Sequence, residues 1–243
     1  MENRKKIHEE YHKKTSGQTK LISEKDFTYK LLLPIINRYD KGKKKVLDIG
    51  CGAGTISLYL ASKGHSVKGI DISNKAIKAC IKSAKDMRIN NVHFQRIDFP
   101  HTIPTGKFDL IICTEIIEHL DQDIQALKKM YRILNKNGVL ILSTPSIDAP
   151  LNKLGLTKKF DKRVGHLRRY KKNDLIKTLK KENFKIISSE IKEGPIRNYL
   201  FVNNYAGKFV RFIKFFLVDV VTFMDNLSVK FFGGSDIVIV AKK

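Results

Sequence analysis

The amino-acid sequence predicts an α/β protein built around a doubly wound, mainly parallel sheet. Short apolar segments that read as strands alternate with longer segments that read as helices. The first strand runs directly into the glycine turn Gly50-Cys51-Gly52-Ala53-Gly54, and the second strand ends on the carboxylate Asp71. Alternation of this kind is typical of βαβ units, in which ligands bind at the carboxyl ends of the strands.

The elements follow from apolar periodicity and from the turn residues between them. Gly64 ends the helix that follows the glycine turn, and Pro145 stops the fifth strand. The predicted strands are 45–49, 66–70, 92–97, 108–114, 139–143, 184–190 and 237–241. The predicted helices are 27–39, 56–63, 75–87, 123–134 and 172–181.

The length of 243 residues and the hydrophobic content of 42% fit one α/β domain with a full core. We divide the chain into an N-terminal helical arm, 1–40, and a main domain, 41–243. Within the main domain, 195–235 is an apolar helical insert before the last strand. Its segment 204–232 has polar residues on one side of a helical wheel and a wide apolar remainder, which leaves three alternatives open. It is buried on two sides or against a second subunit, lies in the plane of a membrane, or covers an apolar substrate pocket.

The net charge of +23 favours a partner rich in negative charge, either nucleic acid or an anionic membrane surface. Lysines spread along solvated helices explain the same charge equally well. No apolar run approaches the ~18 residues that span a bilayer, and the N-terminus has no apolar core of a signal peptide. We therefore expect a cytoplasmic protein, with peripheral membrane binding as an alternative. The three cysteines have no C-x-x-C spacing, so we expect reduced thiols.

The glycine turn and the carboxylate after it indicate an adenosine cofactor. Asp71 stands about 20 residues past the first glycine, where nucleoside-binding folds place the acid that holds a ribose. Thr55 replaces the third glycine of the dinucleotide fingerprint, which makes a pyrophosphate-containing cofactor a poor fit. Asp48, just before the turn, suits a cofactor whose near end carries a cationic amino group or a sulfonium.

Residues 46–54 and Asp71, with Asp98-Phe99 and Glu115 onward, resemble the class I S-adenosylmethionine-dependent methyltransferases, over roughly 40–190 and the last strand. The resemblance implies a Rossmann-like, seven-stranded sheet with a C-terminal hairpin, and S-adenosylmethionine as cofactor. It implies that Asp71 accepts both ribose hydroxyls, that Asp98 takes the adenine amino group and that Phe99 lies beside the ring. The full set of cofactor-binding residues that it implies is Asp48, Gly50, Gly52, Gly54, Asp71, Ile72, Asp98, Phe99 and Thr114.

The acceptor side is marked by Glu115, Glu118 and His119, which stand at i, i+3 and i+4 directly after the fourth strand. His166 follows the fifth strand in a loop that can fold back over the same edge. This E-x-x-E-H pattern with a later histidine resembles the ubiquinone-biosynthesis O-methyltransferases and the small-RNA 3′-end 2′-O-methyltransferases. We take His119, His166 and Glu115 as catalytic candidates. The four residues together are candidate ligands for Mg²⁺ or Mn²⁺, and His119 as a base without metal is the alternative.

The sequence therefore predicts a methyltransferase that acts on an oxygen of a phenolic, quinone-like or lipid-linked small molecule near a membrane surface. An anionic membrane and a second copy bound through the insert are the expected partners. An RNA 2′-O-methyltransferase is the alternative, weakened because no RNA-binding module is recognisable. A non-catalytic S-adenosylmethionine-binding protein is a second alternative, and the intact glycine turn and Asp71 speak against it.

Overall fold

The computed structural model describes residues 5, 7, 9, 10, 17–42, 44–203 and 218–243. These residues form one seven-stranded sheet, with strand order β3-β2-β1-β4-β5-β7-β6. The strands are β1 (Lys45–Ile49), β2 (Ser66–Asp71), β3 (Val92–Arg96), β4 (Phe108–Thr114), β5 (Leu134–Pro145), β6 (Lys185–Lys192) and β7 (Asp236–Lys242).

Pairing is parallel from β3 through β5, whereas β7 runs antiparallel to both β5 and β6. The first residue of β7, Asp236, is therefore paired with Pro145 and with Lys192, the last residues of β5 and β6. The carboxyl ends of five strands, the end of β6 and the beginning of β7 consequently meet at one edge of the sheet. The predicted fold, with its antiparallel C-terminal strands, is confirmed.

The helices pack on the sheet and complete the core. They are α1 (Leu33–Tyr39), α2 (Thr55–Ser62), α3 (Asn74–Asp86), α4 (Asp123–Ile133), α5 (Pro150–Lys153), α6 (Lys158–Val164), α7 (Lys172–Lys181), α8 (Pro195–Val202) and α9 (Val218–Phe232), with one 3₁₀ turn at Ile117–His119. Four of these helices contribute to two separate apolar clusters, α4 and α7 to one and α1 and α2 to the other. Alternate residues of β1 enter the two clusters: Leu47 packs with α4 and α7, and Val46 packs with α1 and α2. This alternation fits a strand that is covered on both faces.

Several boundaries differ from the sequence-based prediction. β5 follows α4 directly and begins at Leu134, before Gly138. Leu134 pairs with Phe108, and the register of β4 against β5 shifts between Phe108 and Leu110. The short helices α5 and α6 are not predicted from the sequence, since α6 buries no side chain and gives no apolar periodicity. The predicted helix 27–39 is reduced to α1 at 33–39, and turns precede it.

The insert contains α8 and α9, and its central part, 204–217, lies outside the described residues. The side chains that α9 buries are those of Val218, Thr222 and Asp225, two of which are polar. Its large apolar side chains point outward, and Phe223 and Phe231 are 72% and 76% exposed. Thr222 and Asp225 from the polar side of the predicted wheel thus face inward, whereas Asp219 and Asn226 are exposed. Within the described ranges, every helix is too short or too polar to cross a bilayer.

Gly69 gives a test of how tightly the sheet is packed. A Cβ there would lie 2.6 Å from Cδ1 of Phe94 and 2.9 Å from Oγ of Ser57. We expect Gly69→Ala to lower the free energy of unfolding by about 1–3 kcal/mol in urea denaturation, the usual cost of overpacking a close-packed interior. The control is Ser66→Ala at the exposed start of the same strand, for which we expect a change within about 0.5 kcal/mol. Equal effects in the two variants would contradict the packing.

Candidate active site

A cavity of about 570 Å³ opens at the carboxyl edge of the sheet. Its size lies in the range of sites for small molecules and cofactors. One end is formed by the glycine turn after β1 and by Asp71, and the other by Glu193, α8 and the first residue of β7. The segment before α1 also lines it, through Thr28, Tyr29, Leu31 and Leu32.

The glycine turn is set by backbone conformation. Gly50, Gly52 and Gly54 have φ angles of 71°, 51° and 78°, in the left-handed region that glycine adopts without strain. A Cβ at Gly50 would lie 2.0 Å from Cδ1 of Ile116. The turn is held to β2, because the amides of Gly50 and Cys51 donate to the carbonyl of Ile70. The backbone is therefore bare where it lines the cavity.

Two buried carboxylates flank this turn. Asp71 accepts the amides of Gly52 at 3.0 Å and Ser73 at 2.8 Å, one on each carboxylate oxygen, which fixes its orientation toward the cavity. Each oxygen keeps a further lone pair for a ligand donor. Asp48 accepts the hydroxyl of Ser57 at 2.6 Å. Burial raises the pKa of Asp48 to about 6, and a cation in the cavity would favour its charged form.

The other predicted cofactor residues are distributed over two cavities. Thr114 lines the large cavity, and Ile72 and Phe99 line a second cavity of about 50 Å³ beside Asp71. Gly54 and Asp98 are outside the described lining of both cavities. Gly54 instead begins α2, and its substitution would bring a Cβ to 2.9 Å from Sγ of Cys80. The role of Asp98 toward adenine stays a prediction.

Three of the four predicted metal ligands come together. Ligand atoms of Glu118, His119 and His166 all lie within 4.8 Å of one another. Oε1 of Glu118 lies 3.9 Å from Nε2 of His119 and 3.8 Å from Nε2 of His166. Within the described part of the chain, this buried oxygen has no hydrogen-bond partner. The other carboxylate oxygen accepts the hydroxyl of Thr144. Burial raises the pKa of Glu118 to about 8.

The imidazoles are oriented by their second nitrogens. Nδ1 of His119 donates to the carbonyl of Gly165 at 3.1 Å, because a carbonyl oxygen only accepts, and this contact fixes the direction of Nε2. Nδ1 of His166 lies 2.9 Å from Asp161. Arg169 donates to both oxygens of Asp161, at 2.6 and 2.9 Å. Although burial opposes ionisation, the hydrogen bonds from His166 and Arg169 hold the pKa of Asp161 well below its usual range.

Glu115 is outside this cluster. Its amide donates to the carbonyl of Ser143, and its carboxylate accepts the hydroxyl of the same residue at 2.6 Å. The side chain lines the large cavity, as do Glu193 and Asp236. Desolvation by the surrounding protein and the negative charge of Asp236 raise the pKa of Glu115 above its usual range, although the residue itself is exposed. The structure thus separates Glu115 from the three residues that converge and groups it with two other carboxylates.

Several residues of the site are missed by the sequence reasoning. Asp161 comes from α6, which no apolar pattern reveals, although its spacing of five residues before His166 was available as a signal. Glu193 and Arg197 follow β6, and Asp236 begins β7. The only signal for Asp236 is that a last antiparallel strand starts where parallel strands end. Arg169 and Tyr170 bind carboxylates of the chain itself, those of Asp161 and Asp123.

The sequence of the chain matches known methyltransferases. A family model described as methyltransferase domain matches residues 40–199. The chain is 34% identical over 104 residues to the ubiquinone biosynthesis O-methyltransferase of Psychrobacter cryohalolentis, which covers 42% of this chain and 40% of that protein. The protein of the same name from Glaesserella parasuis is 37% identical over 107 residues, covering 42% and 45%. The chain thus aligns with less than half the length of these curated relatives.

The fold is also that of solved structures. An S-adenosylmethionine-dependent methyltransferase from Methanosarcina mazei superposes with a TM-score of 0.60 at 22% identity, covering 86% of this chain and 97% of that one. At this identity the likeness concerns the fold alone. The family match spans well over half of the chain, and it includes the glycine turn, Asp71 and the E-x-x-E-H segment. The chain therefore belongs to the methyltransferase domain family.

Proposed function

We propose that this protein methylates a hydroxyl oxygen of a phenolic, quinone-like or lipid-linked small molecule. The observation that carries the proposal is the convergence of Glu118, His119 and His166 at the edge of the sheet where the cofactor cavity opens. The relatives named ubiquinone biosynthesis O-methyltransferase support transfer to oxygen. Methyl transfer is an in-line displacement, so the protein has to hold donor and acceptor at near-attack distance and remove the proton of the acceptor hydroxyl.

The donor side follows from the described contacts. Asp71 is oriented by two amides and offers its remaining lone pairs to the two ribose hydroxyls. Asp48 carries negative charge toward the cationic methionine end. The bare backbone of Gly50 and Gly52 lets the chain approach the cofactor closely.

We infer that Glu118, His119 and His166 bind a divalent cation. The orphaned Oε1 of Glu118 lies 3.9 Å from Nε2 of His119 and 3.8 Å from Nε2 of His166, so three potential ligand atoms surround one small space. The pair Asp161–His166 reproduces the carboxylate that commonly supports a metal-binding histidine. The carboxylate oxygen suits Mg²⁺ or Mn²⁺, and the two imidazole donors favour Mn²⁺ over Mg²⁺. Such a cation would lower the pKa of an acceptor hydroxyl. Without a cation, His119 is the base.

The RNA 2′-O-methyltransferase alternative has less support. The acceptor end of the cavity is lined by the carboxylates Glu115, Glu193 and Asp236. In their charged form these groups would repel the phosphates that flank a ribose in RNA, although Arg169, Lys192 and Arg197 line the same cavity.

We further propose that α9 rests on an anionic membrane. Its outward apolar side chains are Val220, Phe223, Met224, Leu227, Phe231 and Phe232, all at least 47% exposed. Asp225 prevents the helix from turning this face inward, because its carboxylate accepts the amides of Gly194 and Arg197 at the beginning of α8. The net charge of +23 is complementary to anionic lipid. Phe201 and Val202 of α8 line the cavity, so the docked helix pair would bring the cavity close to a lipid-linked acceptor.

The first prediction concerns the donor. Asp71→Asn removes the charge and one acceptor of the ribose hydroxyls, so we expect binding of S-adenosylhomocysteine to weaken about 10- to 100-fold in titration calorimetry. The matched control is Asp86→Asn, an exposed carboxylate on α3, which should leave the affinity unchanged. Full affinity of the Asp71→Asn protein would refute the donor assignment.

The second prediction concerns the cation. We expect the protein to bind one Mn²⁺ or Co²⁺, with Co²⁺ giving visible absorption bands, and methyl transfer to stop after chelation. Glu118→Gln should abolish the bands, and Asp161→Asn should weaken metal binding about 10- to 100-fold through loss of histidine orientation. Glu190→Gln, a carboxylate paired with Lys192 away from the cluster, is the control. Turnover that survives chelation would leave His119 as the base and remove the cation.

The third prediction concerns the membrane. The wild-type protein should float with vesicles that contain phosphatidylglycerol and not with purely zwitterionic vesicles. The double variant Phe223→Ser, Phe231→Ser should lose flotation, because it removes exposed apolar area. Ile81→Ser, at an exposed apolar position on α3, should float like wild type. A concentration-dependent dimer in sedimentation that the double variant abolishes, without flotation of the wild type, would assign α9 to a second copy instead.

A further inference from the structure

The acceptor end of the large cavity is lined by three carboxylates that neither the donor nor the proposed cation uses. Glu115, Glu193 and Asp236 reach it from the turn after β4, the turn after β6 and the first position of β7. Glu115 and Glu193 have φ angles of 55° and 57°, in the left-handed region that is uncommon for residues other than glycine. Separate parts of the backbone thus place negative charge at one end of the cavity.

The arginine and lysine side chains that line the cavity do not compensate this charge, because each is paired with a carboxylate outside the lining. The pairs are Arg169 with Asp161 at 2.6 Å, Lys192 with Glu190 at 2.7 Å and Arg197 with Asp225 at 4.0 Å. A positive charge that a neighbouring carboxylate already matches gives little attraction for a further anion. The cavity therefore keeps the negative charge of its own carboxylates.

The hydrogen-bond donors at this end are also in use. The terminal nitrogens of Arg197 donate to the hydroxyl of Thr222 and to the carbonyl of Phe27. Nδ2 of Asn198 donates to the carboxylate of Glu193 at 3.0 Å. Asn198 lines the cavity with 8% of its surface exposed, and its Oδ1 is buried without a partner in the described part of the chain. An acceptor oxygen is thus left without a donor beside a buried carboxylate.

The carboxylate of Asp236 is a second acceptor that lacks a donor, since no described residue donates a hydrogen bond to it. Burial raises the pKa of Asp236 to about 6, and burial together with the charge of Asp236 raises the pKa of Glu193 well above its usual range. Buried acceptors without donors and like charges close together both cost free energy. A ligand that brings donors and positive charge would remove both costs and favour the ionised carboxylates.

These unmet groups select an ammonium ligand. A primary ammonium supplies three N–H donors and a positive charge, whereas a hydroxyl supplies one donor and no charge, and a phosphate is repelled. A metal ion holds oxygen ligands at about 2.0–2.6 Å, so its ligands converge closely. In the described part of the chain, ligand atoms within 4.8 Å of one another belong to Glu118, His119 and His166, and Glu193 and Asp236 join no such group. Hydrogen bonds of about 2.7–3.2 Å allow a wider arrangement.

We propose that Glu193, Asn198 and Asp236 bind a protonated amine of the acceptor, with Glu115 adding negative charge at the same end. This proposal rests on the proposed O-methyltransferase function and names the class of acceptor, a hydroxyl compound that also carries a primary or secondary ammonium group. Binding of the ammonium at this end leaves the hydroxyl for the donor. The amine can belong to a phenolic compound or to an amino sugar, since the ammonium makes the same hydrogen bonds in both.

The test uses the full chain saturated with S-adenosylhomocysteine and measures binding of matched probes by titration calorimetry. The phenolic probes are tyramine, its neutral counterpart 4-propylphenol and its anionic counterpart 3-(4-hydroxyphenyl)propionate. The sugar probes are methyl glucosaminide and its neutral counterpart methyl glucoside. We expect tyramine or methyl glucosaminide to bind at least about tenfold more tightly than its neutral counterpart, and the anionic phenol to bind more weakly than tyramine. The pair that shows the preference identifies the source of the amine.

Two variants connect the preference to the proposed residues. Asp236→Asn and Glu193→Gln should each reduce the preference for the amine to about threefold or less, because each removes one negative charge beside the ammonium. The matched control is Asp174→Asn, an exposed carboxylate on α7, which should leave the preference unchanged. The comparison of probes on the wild-type protein needs no variant, so it stays decisive if a variant fails to fold.

Four results would overturn the ammonium proposal. They are equal affinities within both pairs of probes, tighter binding of the anionic phenol than of tyramine, a preference that survives both amide variants, and no binding of either amine. Affinity for S-adenosylhomocysteine separates this proposal from the function on which it rests. Its loss in wild type would refute the proposed function, whereas its retention with any of the four results refutes only the ammonium proposal.

Discussion

Parallel pairing of the first five strands is the constraint on which the site depends. Parallel strands bring their carboxyl ends to one edge, and the register of β1 against β2 and β4 sets the glycine turn, Asp71 and Thr114 side by side. The antiparallel strand β7 adds its first residue, Asp236, to the same edge, because its direction is reversed. Residues almost 200 positions apart in the chain therefore share one cavity. Helices on both faces keep this edge as the open side of the sheet.

Much of the site is built from buried polar groups that are oriented but not satisfied. His166 is fixed by Asp161, and Asp161 is fixed by Arg169, so the imidazole is presented to Glu118 without freedom to turn. Asp71 is fixed in the same manner by two amides. Such arrangements are costly in an empty protein and become favourable when a ligand supplies the missing partners. The apolar packing of the sheet beneath, which buries most residues of β4 and β5, offsets this cost.

The insert illustrates how one polar residue decides which face of a helix is buried. By amphipathicity, α9 would bury its phenylalanines, but Asp225 instead accepts two amides at the beginning of α8, so the side that carries Thr222 and Asp225 faces inward. Buried backbone amides need hydrogen-bond acceptors, and the two oxygens of one carboxylate supply an acceptor for each of these two amides. The apolar side chains are consequently left for an external surface. The hydrogen bonds of Asp225 also hold the beginning of α8 in position. One carboxylate therefore fixes both the α8 residues that line the cavity and the exposed apolar face of α9.

The sequence by itself determined the sheet, the glycine turn, Asp71 and the pairing of Glu118 with His119, because these features depend on short-range periodicity and on residues a few positions apart. It also indicated that His166 joins them, since a loop after a parallel strand returns to the same edge. Only the tertiary structure separated Glu115 from the metal candidates, added Asp161, and brought Glu193, Arg197 and Asp236 into the cavity. These residues belong to irregular turns, a helix without apolar periodicity and an antiparallel strand end. Their positions follow from long-range packing, which leaves no local pattern in the chain.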